Sequence, residues 1–274
     1  MKNINERKVE MAYLRMDFLS EALQKITTMS IVIPNDVSAE EKEGNAYYER
    51  GMKTLYLLHG FTGNDTDWIC GTNIHTLCKK YNFAVVCPCG DNSFYLDREM
   101  TGGKYSTFIG KELVEYTRKV FGFSDRREDT FIGGFSMGGY GSIVNGMKYY
   151  KTFGKIMAFS SALHLDEMVD KGGDYTHELF NEAYLKEIFG KPGQLRESDR
   201  NPKYLIGQIK KAGGEIPDLY LACGTEDSLI DENRSFRAYL EENQIPVLYH
   251  EQPGEHDWDY WNKELQPAVR WLME

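Results

Sequence analysis

The segment Gly134-Phe135-Ser136-Met137-Gly138 joins two patterns that demand different backbone geometry, and this junction constrains the fold more than any other feature of the chain. Upstream, residues 129–134 are short, apolar and β-branched, the pattern of a strand buried on both faces. Downstream, Gly138, Gly139, Gly141 and Ser142 lead into Ile143, Val144 and Met147, which suits a helix whose first turn lies close against a sheet. A tight strand-to-helix turn of this kind strains Ser136 and lifts its hydroxyl to the carboxyl edge of the sheet. It also leaves the Met137 N–H at a helix start, where it can face a developing oxyanion. The five-residue pattern is short and also fits an ordinary serine in a Gly-rich turn, so the weight falls on the residues C-terminal to it.

A serine hydroxyl is inert at neutral pH without a base, and the base needs an acid to orient it. Both come later in the chain, in order. The apolar run 219–223 ends in Gly224-Thr225-Glu226-Asp227, which puts a carboxylate just past a buried strand end on the serine's edge of the sheet. Asp227 is the preferred acid from its place in the turn and Glu226 the competitor; Asp231 reads as the capping carboxylate of a helix over 231–242. Residues 246–250 form another strand pattern, followed by a loop that carries His256 immediately before a helix. His250 lies inside that strand, and His75, His164 and His177 follow no suitable strand end, so His256 is the expected base. The order Ser, Asp, His, each after a separate strand, is that of an α/β hydrolase. The strand 53–58 leads into His59-Gly60-Phe61, a sharp turn that can aim the Phe61 N–H as a second oxyanion donor beside Met137, with His59 itself structural.

These segments, together with Gly90-Asp91-Asn92-Ser93-Phe94-Tyr95 and residues 254–261, resemble the Putative esterase family that contains esterase D, feruloyl and acetyl xylan esterases and mycolyltransferases. The chain is most similar to its bacterial tributyrin esterase branch, from about Met11 to the last helix. The resemblance implies a serine carboxylesterase of short-chain acyl esters, acetyl to butyryl, working through an acyl-enzyme. Ser136, Asp227 and His256 would form the triad, and Phe61 and Met137 the oxyanion hole. Feruloyl or acetyl xylan ester hydrolysis is the related alternative; a thioesterase or acyltransferase would use the same triad.

The remaining sequence fits that expectation. Residues 13–19 and 24–33 read as an antiparallel pair joined at Ser20-Glu21. Then come a helix over 68–81, a strand over 83–87, a helix over 107–121 and a strand over 156–159. The expected architecture is an α/β-hydrolase fold, a mostly parallel central sheet flanked by helices, as a single domain over 1–274. The least regular stretch, 161–201, stands where a small cap insertion belongs. Trp68, Phe94, Tyr95, Tyr105 and Trp258 fall in or near loops at the active edge and are candidates for a substrate pocket, whereas Trp261 reads as core.

A net charge of −10 disfavours nucleic acid and anionic membrane as partners, and there is no apolar run long enough to span a bilayer. Residues 1–10 are charged rather than signal-like, so a cytoplasmic protein acting on a small-molecule ester is expected. A homo-oligomer stays open. The five cysteines fit reduced core thiols, and neither a cofactor nor a metal is expected.

Overall fold

The computed structural model describes residues 12–98, 102–163, 181–190 and 195–274. Its centre is an eight-stranded sheet in the order β1-β2-β4-β3-β5-β6-β7-β8. The strands are β1 (Ala12–Ser20), β2 (Lys25–Ile33), β3 (Lys53–Leu58), β4 (Phe83–Pro88), β5 (Thr130–Phe135), β6 (Lys155–Phe159), β7 (Asp218–Gly224) and β8 (Val247–Gln252). β1 and β2 form an antiparallel hairpin, β2 runs antiparallel to β4, and every pairing from β4 to β8 is parallel. The architecture is the α/β-hydrolase type expected from the sequence.

The inner strands are apolar along their whole length because both faces are covered. Side chains alternate between two cores with the period-two pleat. Tyr56, Leu58, Ala84, Val86, Ile132, Ile156 and Leu219 face one core; Leu55, Leu57, Val85, Phe131, Met157 and Tyr220 face the other. The first core is completed by Leu113 and Val114, by Ile143 and Met147 of the helix Met137–Lys148, and by Phe236 and Leu240. The second is closed by Leu77 and Tyr81 and by Trp261, Leu265, Val269 and Leu272 of the last helix, Trp258–Met273.

The chain moves from β3 to β4 on one side and from β5 to β8 on the other, so the strand order reverses between β3 and β5. In open parallel sheets the crevice beyond the carboxyl ends at such a reversal is where ligands bind. Here it lies between the His59-Gly60-Phe61 loop and Ser136.

Four local expectations differ from the structure. The helix expected over 68–81 is two pieces, Asp67–Gly71 and Ile74–Tyr81. Thr72 interrupts it: its hydroxyl donates to Trp68 O at 2.5 Å and accepts from Ile74 N at 3.2 Å, replacing backbone bonds of a continuous helix. The helix expected over 107–121 begins at Tyr105 and carries a π segment, Phe108–Glu112, before Leu113–Phe121. That wider turn shifts the helical phase, and Val120, near the end of the helix, is 48% exposed. The β1–β2 turn occupies residues 21–24 rather than Ser20-Glu21, with Gln24 left-handed at φ 54°. Asp231 is not a cap: the helix Ile230–Glu242 has Leu229 at its N-cap, and Asp231 sits in the first turn as an exposed partner of Arg234.

The two glycines of the elbow are required by close approach. A Cβ at Gly138 would lie 2.3 Å from Leu58 O, and one at Gly134 would lie 2.4 Å from Gly138 O. Both obstacles are backbone of β3 or of the elbow itself and cannot swing aside. Gly138→Ala is therefore expected to cost about 1–3 kcal/mol, read as a fall of several degrees in Tm. An unchanged melting curve would mean that the elbow can move away from β3.

Candidate functional site

Ser136 occupies the turn between β5 and its helix with φ 55° and ψ −120°, a conformation that non-glycine residues rarely adopt. Such strain persists only where the surroundings over-determine it. The Ser136 amide donates to Phe159 O at 2.9 Å, and its carbonyl accepts from Tyr140 N at 3.0 Å and Ala162 N at 3.1 Å. The backbone is thus pinned on both sides while the residue stays partly exposed. Met137 is the first residue of the helix, where N–H groups have no intrahelical acceptor.

The loop after β7 turns at Asp227, whose side chain is buried. His256 Nδ1 lies 2.9 Å from Asp227 Oδ2 and 3.1 Å from Oδ1. Leu229 N donates to the same carboxylate at 2.8 Å, and the Ser160 hydroxyl lies nearby. Burial works against ionisation of Asp227, but the bonds from His256 and Leu229, with the nearby Ser160 hydroxyl, outweigh it and hold the carboxyl below its ordinary range. A carboxyl that ionises more readily in the folded chain than in the unfolded one stabilises the fold above its unfolded pKa. That contribution is lost as pH falls through the lower folded value.

The competitor Glu226 is committed elsewhere. It is exposed, accepts from Gly254 N at 2.6 Å and from the Thr225 hydroxyl at 2.7 Å, and so ties the β7 loop to the β8 loop.

The third loop, after β3, is held from several directions. His59 is buried; its Nε2 accepts from Gly90 N at 2.8 Å, which leaves Nδ1 to donate to Gly60 O at 2.7 Å. Both ring nitrogens are engaged and burial lowers its pKa, so His59 is a neutral structural strut. Thr62, itself left-handed, donates its N–H to Asn92 Oδ1 at 2.8 Å, and Gly63 N donates to Gly60 O at 3.2 Å. These bonds fix the turn that carries Phe61. Further on, buried Asp65 accepts two bonds from Arg15 at 2.9 and 3.0 Å and one from Ser30 at 2.7 Å, fastening the loop to the β1–β2 hairpin.

His256 and the Phe61 loop open on one cleft of about 650 Å³, lined by Phe61, Thr62, Thr66, Asp67, Cys70, Phe135, Asp257, Trp258 and Trp261 among others. Asp227 and His256 are in contact, whereas no hydrogen bond joins the Ser136 hydroxyl to His256 among the described residues. The link runs through packing. The Trp261 ring meets His256 edge-on at 5.1 Å and stacks at 4.2 Å on Phe135, the residue before Ser136. Serine–histidine bonds are often long in substrate-free sites and tighten with substrate.

Of the five aromatics expected to line a pocket, Trp258 lines the cleft. Trp68 is buried beneath it, with its indole N–H donating to Leu58 O at 3.0 Å. Tyr95 is buried behind the β3 loop, where its hydroxyl donates to His59 O at 2.9 Å. Phe94 is buried between Phe61, Tyr140 and Phe189. Tyr105 is buried and bonded to Asp91, with Arg98 over its ring. All four lie close to loops in sequence, but the loops turn them inward. Phe135 and Trp261 also line the cleft, the first from the motif's variable position and the second while remaining the core residue expected from the sequence. Ser160 carried no motif, its only signal being position after a strand, whereas Asn92 lies in the segment 90–95 that carries the family resemblance.

Of the expected cap over 161–201, residues 164–180 and 191–194 lie outside the described residues, as do 1–11. Its helix Glu182–Phe189 packs Phe189 on Phe94 at 5.0 Å and Tyr184 on Phe61 at 6.0 Å, and the Tyr184 hydroxyl donates to Asn92 O at 2.7 Å. No helix among the described residues is long and apolar enough to cross a membrane.

Comparison with known proteins agrees with this geometry. The Putative esterase family model matches residues 20–272. An acetyl esterase of Caldicellulosiruptor saccharolyticus is 42% identical over 264 residues, 96% of this chain and 99% of that protein. Among solved structures, the fluorophosphonate-binding serine hydrolase FphF of Staphylococcus aureus superposes with a TM-score of 0.82 at 26% identity, covering 97% of this chain and 99% of that one. An S-formylglutathione hydrolase of the same organism superposes with a TM-score of 0.80 at 27% identity, covering 96% and 99%. The chain belongs to the Putative esterase family and is a serine ester hydrolase.

Proposed function

We propose that this chain hydrolyses short-chain carboxylic esters, acetyl to butyryl, through an acyl-enzyme on Ser136. The observation that carries the reading is the buried Asp227 carboxylate on Nδ1 of His256, with the imidazole opening on the cleft beside the strained serine elbow. A carboxylate at Nδ1 keeps the neutral ring's proton there, so Nε2 is the basic atom on the substrate side.

In this mechanism Ser136 Oγ attacks the ester carbonyl as its proton passes to His256 Nε2. The Phe61 and Met137 N–H groups hold the resulting oxyanion, the latter aided by the partial positive charge of its helix start. The imidazolium returns the proton to the departing alcohol, leaving acyl-Ser136. Water, deprotonated by His256, then attacks the acyl carbonyl and releases the acid as Ser136 Oγ regains a proton. Asp227 stays ionised throughout and holds the ring in place.

The aromatic packing of Phe61, Phe94, Tyr184 and Phe189 fills the space at one end of the β3 loop and favours a small acyl group, as does the likeness to an acetyl esterase. The small helix carrying Tyr184 would act as the cap. A second reading has support of its own: Phe61, Phe135, Trp258 and Trp261 line the cleft beside Thr62, Thr66 and Asp67. Aromatic faces beside hydroxyl and carboxylate groups also suit a feruloyl or acetylated sugar ester. Hydrolysis of p-nitrophenyl esters from acetyl to octanoyl, with methyl ferulate and acetylated xylan alongside, separates the two. For the short-chain reading kcat/KM peaks between acetyl and butyryl and falls about tenfold or more by octanoyl, since each misplaced methylene is worth roughly 1–3 kcal/mol. An optimum at hexanoyl or longer would overturn it, and a preference for methyl ferulate would favour the second.

A further inference from the structure

We infer that Asn92 is a positioning residue that aims the Phe61 N–H and ties the loop carrying it to the helix Glu182–Phe189, an inference that rests on the proposed roles of Ser136 as nucleophile and Phe61 as oxyanion donor. The segment Gly90-Asp91-Asn92-Ser93-Phe94-Tyr95 follows β4 and lies against the loop after β3. Three of its residues are left-handed, Asp91 at φ 45°, Phe94 at φ 50° and Tyr95 at φ 57°, and Thr62 across from them is left-handed at φ 65°. Non-glycine residues keep such a backbone only where neighbouring bonds dictate it. Here the Ser93 hydroxyl donates to Gly90 O at 2.5 Å and accepts from Tyr95 N at 3.0 Å, while Gly90 N and the Tyr95 hydroxyl grip the ring and the carbonyl of His59.

A backbone donor is aimed by the peptide planes on either side of its residue. The Phe61 N–H shares a trans peptide with the Gly60 carbonyl and points opposite to it. Gly60 O accepts from His59 Nδ1 at 2.7 Å and from Gly63 N at 3.2 Å, which sets the first plane. The next plane carries the Thr62 N–H and is set by Asn92 Oδ1 at 2.8 Å. A backbone N–H can only donate, so the amide oxygen of Asn92 faces Thr62, and no hydrogen bond engages its Nδ2 among the described residues. Asn92 is held in turn by its carbonyl, which accepts from Arg98 Nη2 at 2.9 Å and from the Tyr184 hydroxyl at 2.7 Å. The Tyr184 ring meets Phe61 edge-on at 6.0 Å. The helix Glu182–Phe189 therefore reaches the oxyanion loop twice, directly at Phe61 and through Asn92.

What Asn92 gives Thr62 is an acceptor, so aspartate can replace it and alanine cannot. The added charge of an aspartate is offset by the Arg98 guanidinium that already bonds this residue's carbonyl. Neither variant removes a bond of Asp227 or His256. Oxyanion charge develops only in the transition state, so a misaimed donor lowers kcat and leaves KM near that of the parent. A disturbance routed through the acid and base would instead change the pH profile.

With p-nitrophenyl acetate, Asn92→Ala is expected to lose about tenfold or more in kcat, short of the roughly 10²–10³ lost when an oxyanion donor is removed outright, with KM within about threefold. Rates are taken per site labelled by a fluorophosphonate at Ser136, so that unfolded chains do not count. The pH profile should keep its parental shape, and Asn92→Asp should hold kcat within about threefold of the parent. Tyr184→Phe keeps the ring on Phe61 and removes the hydroxyl, and it carries the test independently of how Asn92→Ala folds: kcat should fall about two- to fivefold. Adding Tyr184→Phe to Asn92→Ala should then lower kcat no further, because the hydroxyl acts through Asn92. A parental kcat in Asn92→Ala or Tyr184→Phe, an equal loss in Asn92→Asp, a changed pH profile, or losses that multiply in the double variant overturn the inference. Labelling of the parent at Ser136 with unchanged variants sinks this inference alone, whereas no labelling of the parent sinks the nucleophile beneath it as well.

Discussion

Ser136→Ala is expected to abolish turnover of p-nitrophenyl acetate and covalent labelling by a fluorophosphonate while the chain stays folded. Among the described residues no hydrogen bond uses the Ser136 hydroxyl. Amide and carbonyl are bonded to Phe159, Tyr140 and Ala162, and these bonds survive in alanine. The φ of 55° is equally strained for either residue, so Tm should move by no more than a degree or two. The rate loss is expected at about 10⁵-fold or more, the order seen when a serine nucleophile is removed from a triad. Residual hydrolysis would come from the oxyanion donors and the cleft alone. An alanine variant that keeps even a hundredth of parental kcat, with a purity check against co-purified esterases, would mean that the acyl group is carried elsewhere.

Asp227→Asn should lower kcat by about 10³–10⁴-fold at neutral pH with little change in KM. Asparagine preserves the size of the buried side chain and can still accept from Leu229 N. It cannot hold an imidazolium, and its amide can present a donor to Nδ1, which favours the wrong tautomer of His256. Glu226→Gln is the matched control one residue away. Its carboxylate clamps Gly254 rather than the histidine, so this variant should keep kcat within about threefold and lose only the modest stability of an exposed hydrogen bond. Stopped-flow or initial-rate kinetics on the two purified variants decides between the acids: a reversal of their ranking would move the orienting role to Glu226.

Much of this architecture was legible in the sequence because parallel strands buried on both faces read as uninterrupted apolar runs. Residues 129–134 and 219–223 each announced such a strand, 246–250 announced the half-exposed edge strand β8, and the polar residues placed just after them had to lie on one edge of the sheet. Lateral strand order was another matter. Nothing local in residues 53–58 says that β3 sits beside β5 rather than at an edge, since that depends on pairings far apart in sequence. The helix errors share a cause. At Thr72 a side chain competed with the backbone, and at 108–112 a wider turn shifted the phase; a periodicity count registers neither.

Within the site, the order of residues along the chain was enough to put Ser136, Asp227 and His256 after three separate strands, and small residues where the elbow demands close approach. Connectivity alone requires this, because in a parallel sheet every strand delivers its carboxyl end to the same edge. Which aromatics face substrate could not be read from connectivity. Trp68 and Trp258 both lie in the first turn of a helix, yet one indole turns under the loop to bond Leu58 while the other lines the cleft. The choice between Glu226 and Asp227, the binding of Arg15 to Asp65 and the bond from Trp261 to Ser160 are likewise decisions of the tertiary structure. Each depends on the direction of a side chain between segments 28 to 101 residues apart. Only packing three strands side by side brings those groups within the roughly 3 Å at which hydrogen bonds act.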